Sequence, residues 1–136
     1  MGALHKSAAS IGFFGDDLNP AEITAALGAE PDVGVRKGGL WKTASGTEKL
    51  AARGYWRIEG QRCEPGDLDG QINDLLDRLS DNFTAWRSFS ERFRGRIFCG
   101  LFLASGNEGL TLRSDTLARM GERGLLLDID IYGSDA

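Results

Sequence analysis

Apolar and polar residues alternate in several short segments of the chain, which is the pattern of strands with one buried face. The clearest example is Tyr55 to Glu59, where Trp56 and Ile58 fall on one face. Strands are predicted over residues 7–14, 33–37, 55–59, 97–103, 110–112 and 125–132. The segment 97–103 is almost continuously apolar, which is typical of a central strand covered on both faces. A hairpin turn is expected at 106–109.

Other segments repeat apolar residues every three or four positions, as amphipathic helices do. Helices are predicted over residues 20–27, 68–79 and 83–94, and in a short segment that begins at Ser114. Asn19 and Asp67 are suitable N-caps for the first two helices, and Gly28 is suited to ending the first. The polar residues 80–82 separate the second helix from the third.

The predicted order of elements is β-α-β-β-α-α-β-β-α-β, which indicates an α+β fold. We expect a mixed, mainly antiparallel sheet of about five or six strands, with helices packed mainly on one face and with ferredoxin-like elements. The length of 136 residues suits a single globular domain over 1–136. Its ordered core is expected at about 7–132, with short flexible termini.

Composition narrows the classes of function. The chain has 20 acidic and 16 basic residues and a net charge of −4, so nucleic acid is an unlikely partner. It has no apolar run of about 18 residues and no signal peptide, which predicts a cytoplasmic protein without membrane contact. Cys63 and Cys99 are far apart and there is one histidine, so neither a zinc site nor a cofactor is expected.

A set of short motifs suggests a family. The motifs are Leu27-Gly28-Ala29-Glu30-Pro31, Lys37-Gly38, the isolated Trp56, Leu75-Leu76 and the closing Asp128-Ile129-Asp130-Ile131-Tyr132. With these motifs in order, from about Ser7 to Tyr132, the chain resembles the bacterial domain of unknown function 4279 family. The resemblance implies a fold and a bacterial origin, but no reaction, cofactor or site residue. The chain departs from the family at Asp32, where a small hydroxyl residue often follows the proline.

The segment from Arg36 to Lys42 is the first candidate binding site. It brings Arg36, Lys37, Trp41 and Lys42 together with two glycines in seven residues. Glycines expose backbone amides, cations neutralise phosphate or carboxylate, and the indole ring offers a stacking surface. We therefore expect this segment, within a mobile loop, to bind an anionic ligand or a protein. The alternative is a flexible connection in which Trp41 covers the edge of the core.

Carboxylates offer a second candidate site. Asp128 and Asp130 are two apart on a predicted strand and leave the same face, and Asp16 and Asp17 could join them. Together they could hold a divalent cation for a small metal-dependent hydrolase or transferase-like enzyme. The same alternation of Leu or Ile with Asp is typical of a half-solvated strand, which is the interpretation we favour.

Arginine and aromatic residues interleave between Trp86 and Arg96, as they do on RNA-binding surfaces. Trp86 and Phe93 are seven residues apart and share one helical face, which favours their burial in the core. Cys99 lies in an apolar strand, where a thiolate is disfavoured, and no base is paired with a nucleophile. No catalytic residue is predicted.

The sequence therefore predicts a small binding or interaction module for a protein or a small anionic ligand, and an accessory or toxin-neutralising role is one form of this. The binding surface is expected at residues 34–46 and the neighbouring sheet edge. An exposed sheet edge also invites pairing between two copies, so a homodimer is a third option.

Overall fold

A five-stranded sheet is the centre of the computed structural model, which describes residues 2–134. The strands are β1 (Gly2–Ala3), β2 (Lys6–Gly15), β3 (Val33–Val35), β4 (Leu40–Lys42), β5 (Glu48–Leu50), β6 (Gly54–Glu59), β7 (Arg94–Phe102), β8 (Glu108–Gly109) and β9 (Leu126–Tyr132). The helices are α1 (Pro20–Leu27), α2 (Leu68–Asp77), α3 (Phe83–Arg92) and α4 (Ser114–Glu122). The central sheet has the order β3-β6-β2-β7-β9, in which only the pair β7–β9 is parallel. The predicted α+β fold with a mixed, mainly antiparallel sheet is confirmed.

Alternation along β2 decides which face of the sheet is buried. Ile11 and Phe13 are fully buried, and Ser7 and Ala9 lie on the same side. The even-numbered residues of β2 point to the opposite side and are half-exposed. The neighbouring strands β6 and β7 continue this division through their register with β2. Because the helices pack on one side only, the opposite side of the sheet is left uncovered.

Aromatic residues fill the space between the sheet and the helices. The ring of Phe13 lies 6.2 Å from that of Trp56 and 5.9 Å from that of Trp86, between centroids. Both buried indole N–H groups have acceptors: Trp56 donates to the Thr24 hydroxyl at 3.0 Å, and Trp86 donates to the Ser80 carbonyl at 2.7 Å. Burying one such ring stabilises the fold by roughly 1.5–3 kcal/mol, so this cluster holds the helices on the sheet.

Helices α1 and α2 begin where the sequence places their caps, whereas Ser114, predicted to cap α4, is its first helical residue and forms no capping hydrogen bond. The Asn19 side chain accepts a hydrogen bond from the Ala21 amide at 3.2 Å, and Asp67 accepts one from the Gly70 amide at 3.1 Å. Helix α1 ends at Gly28, whose φ of 79° is left-handed and favours glycine. The helices have 8 to 10 residues, and none within residues 2–134 is long and apolar enough to cross a membrane.

Arg123 is a cation buried beside the aromatic cluster. It directly follows α4, is 1% exposed, and lies with its guanidinium 5.5 Å from the Trp86 ring centroid. It donates to the Asp81 carboxylate at 2.7 Å and to the Arg119 carbonyl at 3.0 Å. Burial lowers the pKa of this guanidinium, and the nearby cation Arg119 adds to the shift. The side chain therefore ties the end of α4 to the segment between α2 and α3.

Residues 36–53 form a hairpin, where the sequence predicted a strand to residue 37 followed by an irregular loop. Strand β3 ends at Val35, and β4 pairs antiparallel with β5. Two hydrogen bonds of 2.8 Å close its base, from the Gly38 amide to the Ala51 carbonyl and from the Ala51 amide to the Gly39 carbonyl. Strands of three residues are too short to show alternation, which is why the sequence did not reveal them.

The hairpin predicted at 106–109 does not form, and residues 110–112 are not a strand. Strand β8 instead pairs parallel with β1. The Glu108 carboxylate folds this segment by accepting hydrogen bonds from the amides of His5, Ala104 and Ser105 at 2.8–3.0 Å. A side chain thus supplies the acceptors that a hairpin ladder would have supplied.

Strand β7 lies inside the sheet as predicted, but the expectation that both of its faces are covered is wrong. Ile97 and Cys99 are fully buried, whereas Phe98 and Phe102 are half-exposed on the uncovered side. An apolar run predicts burial equally for both faces, so aromatic residues on an open face are indistinguishable from core residues in the sequence.

We expect Arg123→Ala to lower the free energy of unfolding by about 3 kcal/mol, because it leaves a cavity and removes the contact with Trp86. Urea unfolding followed by circular dichroism measures this. The matched control is Arg87→Ala, whose side chain is exposed and donates to the Glu122 carbonyl at 2.9 Å. The control should change stability by less than about 0.5 kcal/mol. Equal losses in the two variants would contradict a structural role for Arg123.

Candidate functional site

The uncovered side of the sheet, here called the open face, carries the candidate site. Its residues are the even-numbered positions of β2 and their neighbours in register: Tyr55, Arg57 and Glu59 of β6, Arg94, Arg96, Phe98, Gly100 and Phe102 of β7, and Leu126, Asp128, Asp130 and Tyr132 of β9. Strand β2 contributes the small residues Ala8, Ser10 and Gly12 at the centre. Because their neighbours have long side chains, the middle of the open face is concave.

A hollow of about 250 Å³ occupies this concave region. Its floor includes Ala8, Ser10 and Gly100, and its walls include Phe98, Phe102, Tyr132, Glu59 and Arg62. A Cβ atom at Gly100 would lie 3.3 Å from the Phe102 ring, so glycine at this position keeps the floor low. A second hollow of about 110 Å³ extends toward Gly12 and has Ser10 and Phe98 in common with the first.

Two cations lie against the aromatic wall of the larger hollow. The rings of Phe102 and Tyr132 are stacked, with centroids 4.8 Å apart and planes 5° from parallel. The Arg62 guanidinium lies 4.9 Å from the Phe102 ring centroid, and Lys6 Nζ lies 5.5 Å from it. Within residues 2–134, neither Arg62 nor Lys6 forms an ion pair. Arg62 therefore lines the hollow and Lys6 lies over the same ring, both without a partner carboxylate among the described residues.

Other arginines of the open face are already paired. Arg96 donates to Asp128 at 2.9 Å, and Arg57 lies 2.9 Å from Glu59. The hydrogen bond from Arg96 holds the pKa of the Asp128 carboxyl below its ordinary value, and Arg94 adds to this effect. Exposed pairs of this kind contribute little to stability, but they set the direction of the side chains across the sheet.

The open face is cationic although the chain is acidic. The face itself carries Lys6, Arg57, Arg94 and Arg96 against Glu59, Asp128 and Asp130, and the flanking residues add Arg53 and Arg62 against Asp32. The whole chain has a net charge of −4, so negative charge is concentrated elsewhere on the molecule. Such an asymmetric distribution raises the local concentration of anions at the open face.

The four loop residues predicted to bind a ligand lie in two places. Trp41 and Lys42 are on β4 and line a groove of about 310 Å³ together with residues of β6. Lys37 lies 3.4 Å from the exposed Asp16 carboxylate, and Arg36 is exposed. The structure therefore brings Trp41 and Lys42 to the margin of the open face and leaves Arg36 and Lys37 outside this groove.

The structure does not assemble the four carboxylates of the enzyme hypothesis. Asp128 is bound by Arg96, Asp16 lies beside Lys37, and Asp130 accepts a hydrogen bond from the Tyr132 hydroxyl at 2.7 Å. That hydrogen bond raises the pKa of Tyr132. Residues 2–134 contain no group of three or more His, Cys, Asp or Glu side chains placed to hold a metal ion.

Sequence reasoning missed the hollow. Lys6 and Arg62 are distant in the sequence and both reach Phe102, which itself looks like a core residue of an apolar strand. The available signal was the series Ala8, Ser10 and Gly12, small residues that alternate along β2 with the apolar residues Ala9, Ile11 and Phe13. A strand of this kind buries apolar side chains on one face, and its small residues leave space for a hollow on the other face.

Cys99 is excluded as a nucleophile by its position on the buried face of β7. Burial raises the pKa of its thiol to about 12, as the apolar sequence around it predicts. Cys63 is half-buried, and both cysteines are free thiols.

Comparison with known families identifies one match. Residues 5–134 match the model of a domain of unknown function (DUF4279), in agreement with the resemblance carried by the short motifs. No curated protein and no solved structure matches the chain. The match covers almost the whole chain but assigns no function, so the geometry of the site is the evidence on which a function can be proposed.

We expect dithiobis-nitrobenzoate to modify Cys63, which is partly accessible, in the native protein, and Cys99 only after unfolding in urea, because burial closes access to Cys99 and raises the pKa of its thiol. Absorbance of the released thiolate counts the reacting groups, and Cys63→Ser is the control that should leave no rapid phase. Rapid modification of Cys99 in the native protein would contradict its burial.

The lowered pKa of Asp128 predicts a stabilising contribution above the pKa of the unfolded carboxyl. This contribution is lost as the pH falls through the lower pKa of the folded state. The free energies of unfolding of the wild type and Asp128→Asn should therefore differ at neutral pH and converge in acid. A difference that grows toward acidic pH would have the wrong sign for the Arg96–Asp128 pair.

Proposed function

We propose that this chain, which belongs to the DUF4279 family, is a binding module whose open face holds a small anionic ligand with a flat apolar part. The observation that carries the proposal is Arg62, which lines the hollow, together with Lys6, which lies over the same Phe102 ring, neither of them paired with a carboxylate within residues 2–134.

The cations supply the recognition of charge. Hydrogen bonds from Arg or Lys to carboxylate or phosphate are stronger than neutral hydrogen bonds, and an arginine can make two at once. Arg62 and Lys6 both lie on the Phe102 ring, which limits their freedom before a ligand arrives. An anion beside this wall therefore gains two charge-assisted contacts at a reduced cost in side-chain entropy.

The hollow supplies the recognition of shape. Its two parts, of about 250 and 110 Å³, together reach the lower end of the range of small-molecule sites. Small residues on the floor and rings of Phe98, Phe102 and Tyr132 in the walls admit a flat apolar group. Aromatic stacking adds about 0.5–1.5 kcal/mol beyond the area it buries.

The groove at Trp41 and Lys42 contains two of the four residues that the sequence predicts to bind a ligand. It lies at the margin of the same face, so a larger anionic ligand or a protein would extend from the hollow toward β4. The bacterial source, the cytoplasmic location and the accessory or toxin-neutralising role expected from the sequence are parts of this proposal.

Anilinonaphthalene sulfonate, a flat aromatic anion, is a suitable probe, and its fluorescence reports the dissociation constant directly. We expect Lys6→Ala and Arg62→Ala each to raise the dissociation constant about tenfold. Each variant loses one charge-assisted contact, which contributes about 1.5 kcal/mol to binding. The neutral analogue phenylnaphthylamine keeps the rings but lacks the sulfonate, so its affinity should change little in both variants.

Matched controls separate the hollow from the loop. Arg87→Ala removes an arginine far from the open face, and the double variant Trp41→Ala/Lys42→Ala removes the sequence-predicted site. Both should bind the probe as the wild type does. Loss of affinity in the double variant, with unchanged affinity in Lys6→Ala and Arg62→Ala, would move the site to β4 and refute the hollow.

A further inference from the structure

Strand β9 is a seven-residue edge of the central sheet, and its outer side forms no strand pair within residues 2–134. The Leu103 amide donates to the Tyr132 carbonyl at 3.0 Å, and β9 runs parallel to β7. In a parallel ladder, alternate residues bond to the neighbouring strand. The even-numbered residues of β9 therefore bond inward, and the backbone groups of Leu127, Ile129 and Ile131 point outward.

The side chains along this edge are unusually apolar for an edge strand. Four of the nine large hydrophobic residues that are exposed within residues 2–134 lie on β9: Leu126, Ile129, Ile131 and Tyr132. Ile129 is 46% exposed and Ile131 is 61% exposed, on the side of the sheet that the helices cover elsewhere. Monomeric proteins commonly protect such an edge with lysine, proline or a bulge, and β9 has neither lysine nor proline.

The order of residues on β9 is self-complementary. Read in either direction from Ile129, the strand has an aspartate, then an aliphatic residue, then a second large residue with an apolar side chain or ring: Asp128, Leu127, Leu126 on one side and Asp130, Ile131, Tyr132 on the other. Antiparallel pairing of two identical strands reverses one of them, so each residue meets its counterpart in this series.

We propose that β9 pairs antiparallel with β9 of a second copy of this chain, about a two-fold axis at Ile129. Ile129 then faces the partner subunit's Ile129, and Leu127 faces the partner subunit's Ile131. These are the residues whose N–H and C=O groups point outward, so the same register satisfies the backbone and joins the exposed apolar side chains.

The register keeps both open faces on the same side of a continuous ten-stranded sheet. It places Asp128 opposite the partner subunit's Asp130. Arg96 and Arg94 lie 2.9 and 3.5 Å from Asp128 and offset this repulsion.

Tyr132, a wall of the hollow, meets the partner subunit's Leu126, so the dimer extends that wall. The inference rests on the edge of β9 and does not depend on ligand binding.

The other edge of the sheet is a poorer pairing surface. Strand β3 has three residues, and the hairpin of β4 and β5 lies next to it. A β3 pair would form few hydrogen bonds and would bury little apolar surface. Between the two edges, β9 is therefore the one that matches a second copy.

Sedimentation equilibrium of the full chain tests the proposal, with the wild type expected at twice the mass of the chain. Ile129→Pro removes an outward N–H that has no partner within the subunit, so it should abolish the dimer and leave the fold intact by circular dichroism. The double variant Ile129→Lys/Ile131→Lys keeps the backbone N–H groups and adds charge repulsion across the two-fold axis. It replaces the proline variant in the test if that variant is misfolded. It should also be monomeric.

The matched control is Leu40→Lys/Leu50→Lys, which removes the exposed apolar pair of the β4–β5 hairpin, 64% and 69% exposed. This control should remain a dimer. A monomeric wild type overturns the proposal and leaves the β9 edge to a strand of a different protein. A folded Ile129→Pro or double-lysine variant that remains dimeric also overturns it, and a monomeric hairpin variant would place the interface at β4 and β5.

Discussion

Burial of one side of a single sheet is the constraint on which the rest of this structure depends. In the middle of strand β2, Ile11 and Phe13 are fully buried on one side, and the small residues Ser10 and Gly12 lie on the opposite side. Four helices of 8 to 10 residues supply enough apolar surface for one face. No helix covers the other face, so its aromatic residues remain half-exposed.

The sequence predicted those parts of the fold that local rules determine. Asn19, Asp67 and Gly28 mark helix ends through hydrogen bonds and backbone conformations within a few residues, and Trp56 follows a clean alternation. It could not predict the parts that depend on distant partners. Glu108 folds its segment by reaching His5, and the base of the β4–β5 hairpin is closed by hydrogen bonds between the segments on either side of the two strands.

The candidate site was harder to predict than the fold for the same reason. Arg62 belongs to a loop and Lys6 is the first residue of a strand. The register of β2 with β7 places Lys6 beside Phe102, and the bridge between Ser7 and Cys63 holds the Arg62 loop against the same strand. Trp41 and Lys42 were predicted as binding residues because they are close to other cations in the sequence, yet they lie at the margin of the open face. The family match assigns no reaction, so the chemistry of the site comes from its side chains.

The central claim is that one face of the sheet is bare, and hydroxyl-radical footprinting read by mass spectrometry tests it most directly. Phenylalanines provide an internal comparison with identical chemistry: Phe98 and Phe102 lie on the open face, whereas Phe13 of the sheet and Phe89 of α3 are buried between the sheet and the helices. The account predicts rapid oxidation of Phe98 and Phe102 and protection of Phe13 and Phe89 in the native protein. Equal protection of all four rings would show that the face is covered and would contradict the account.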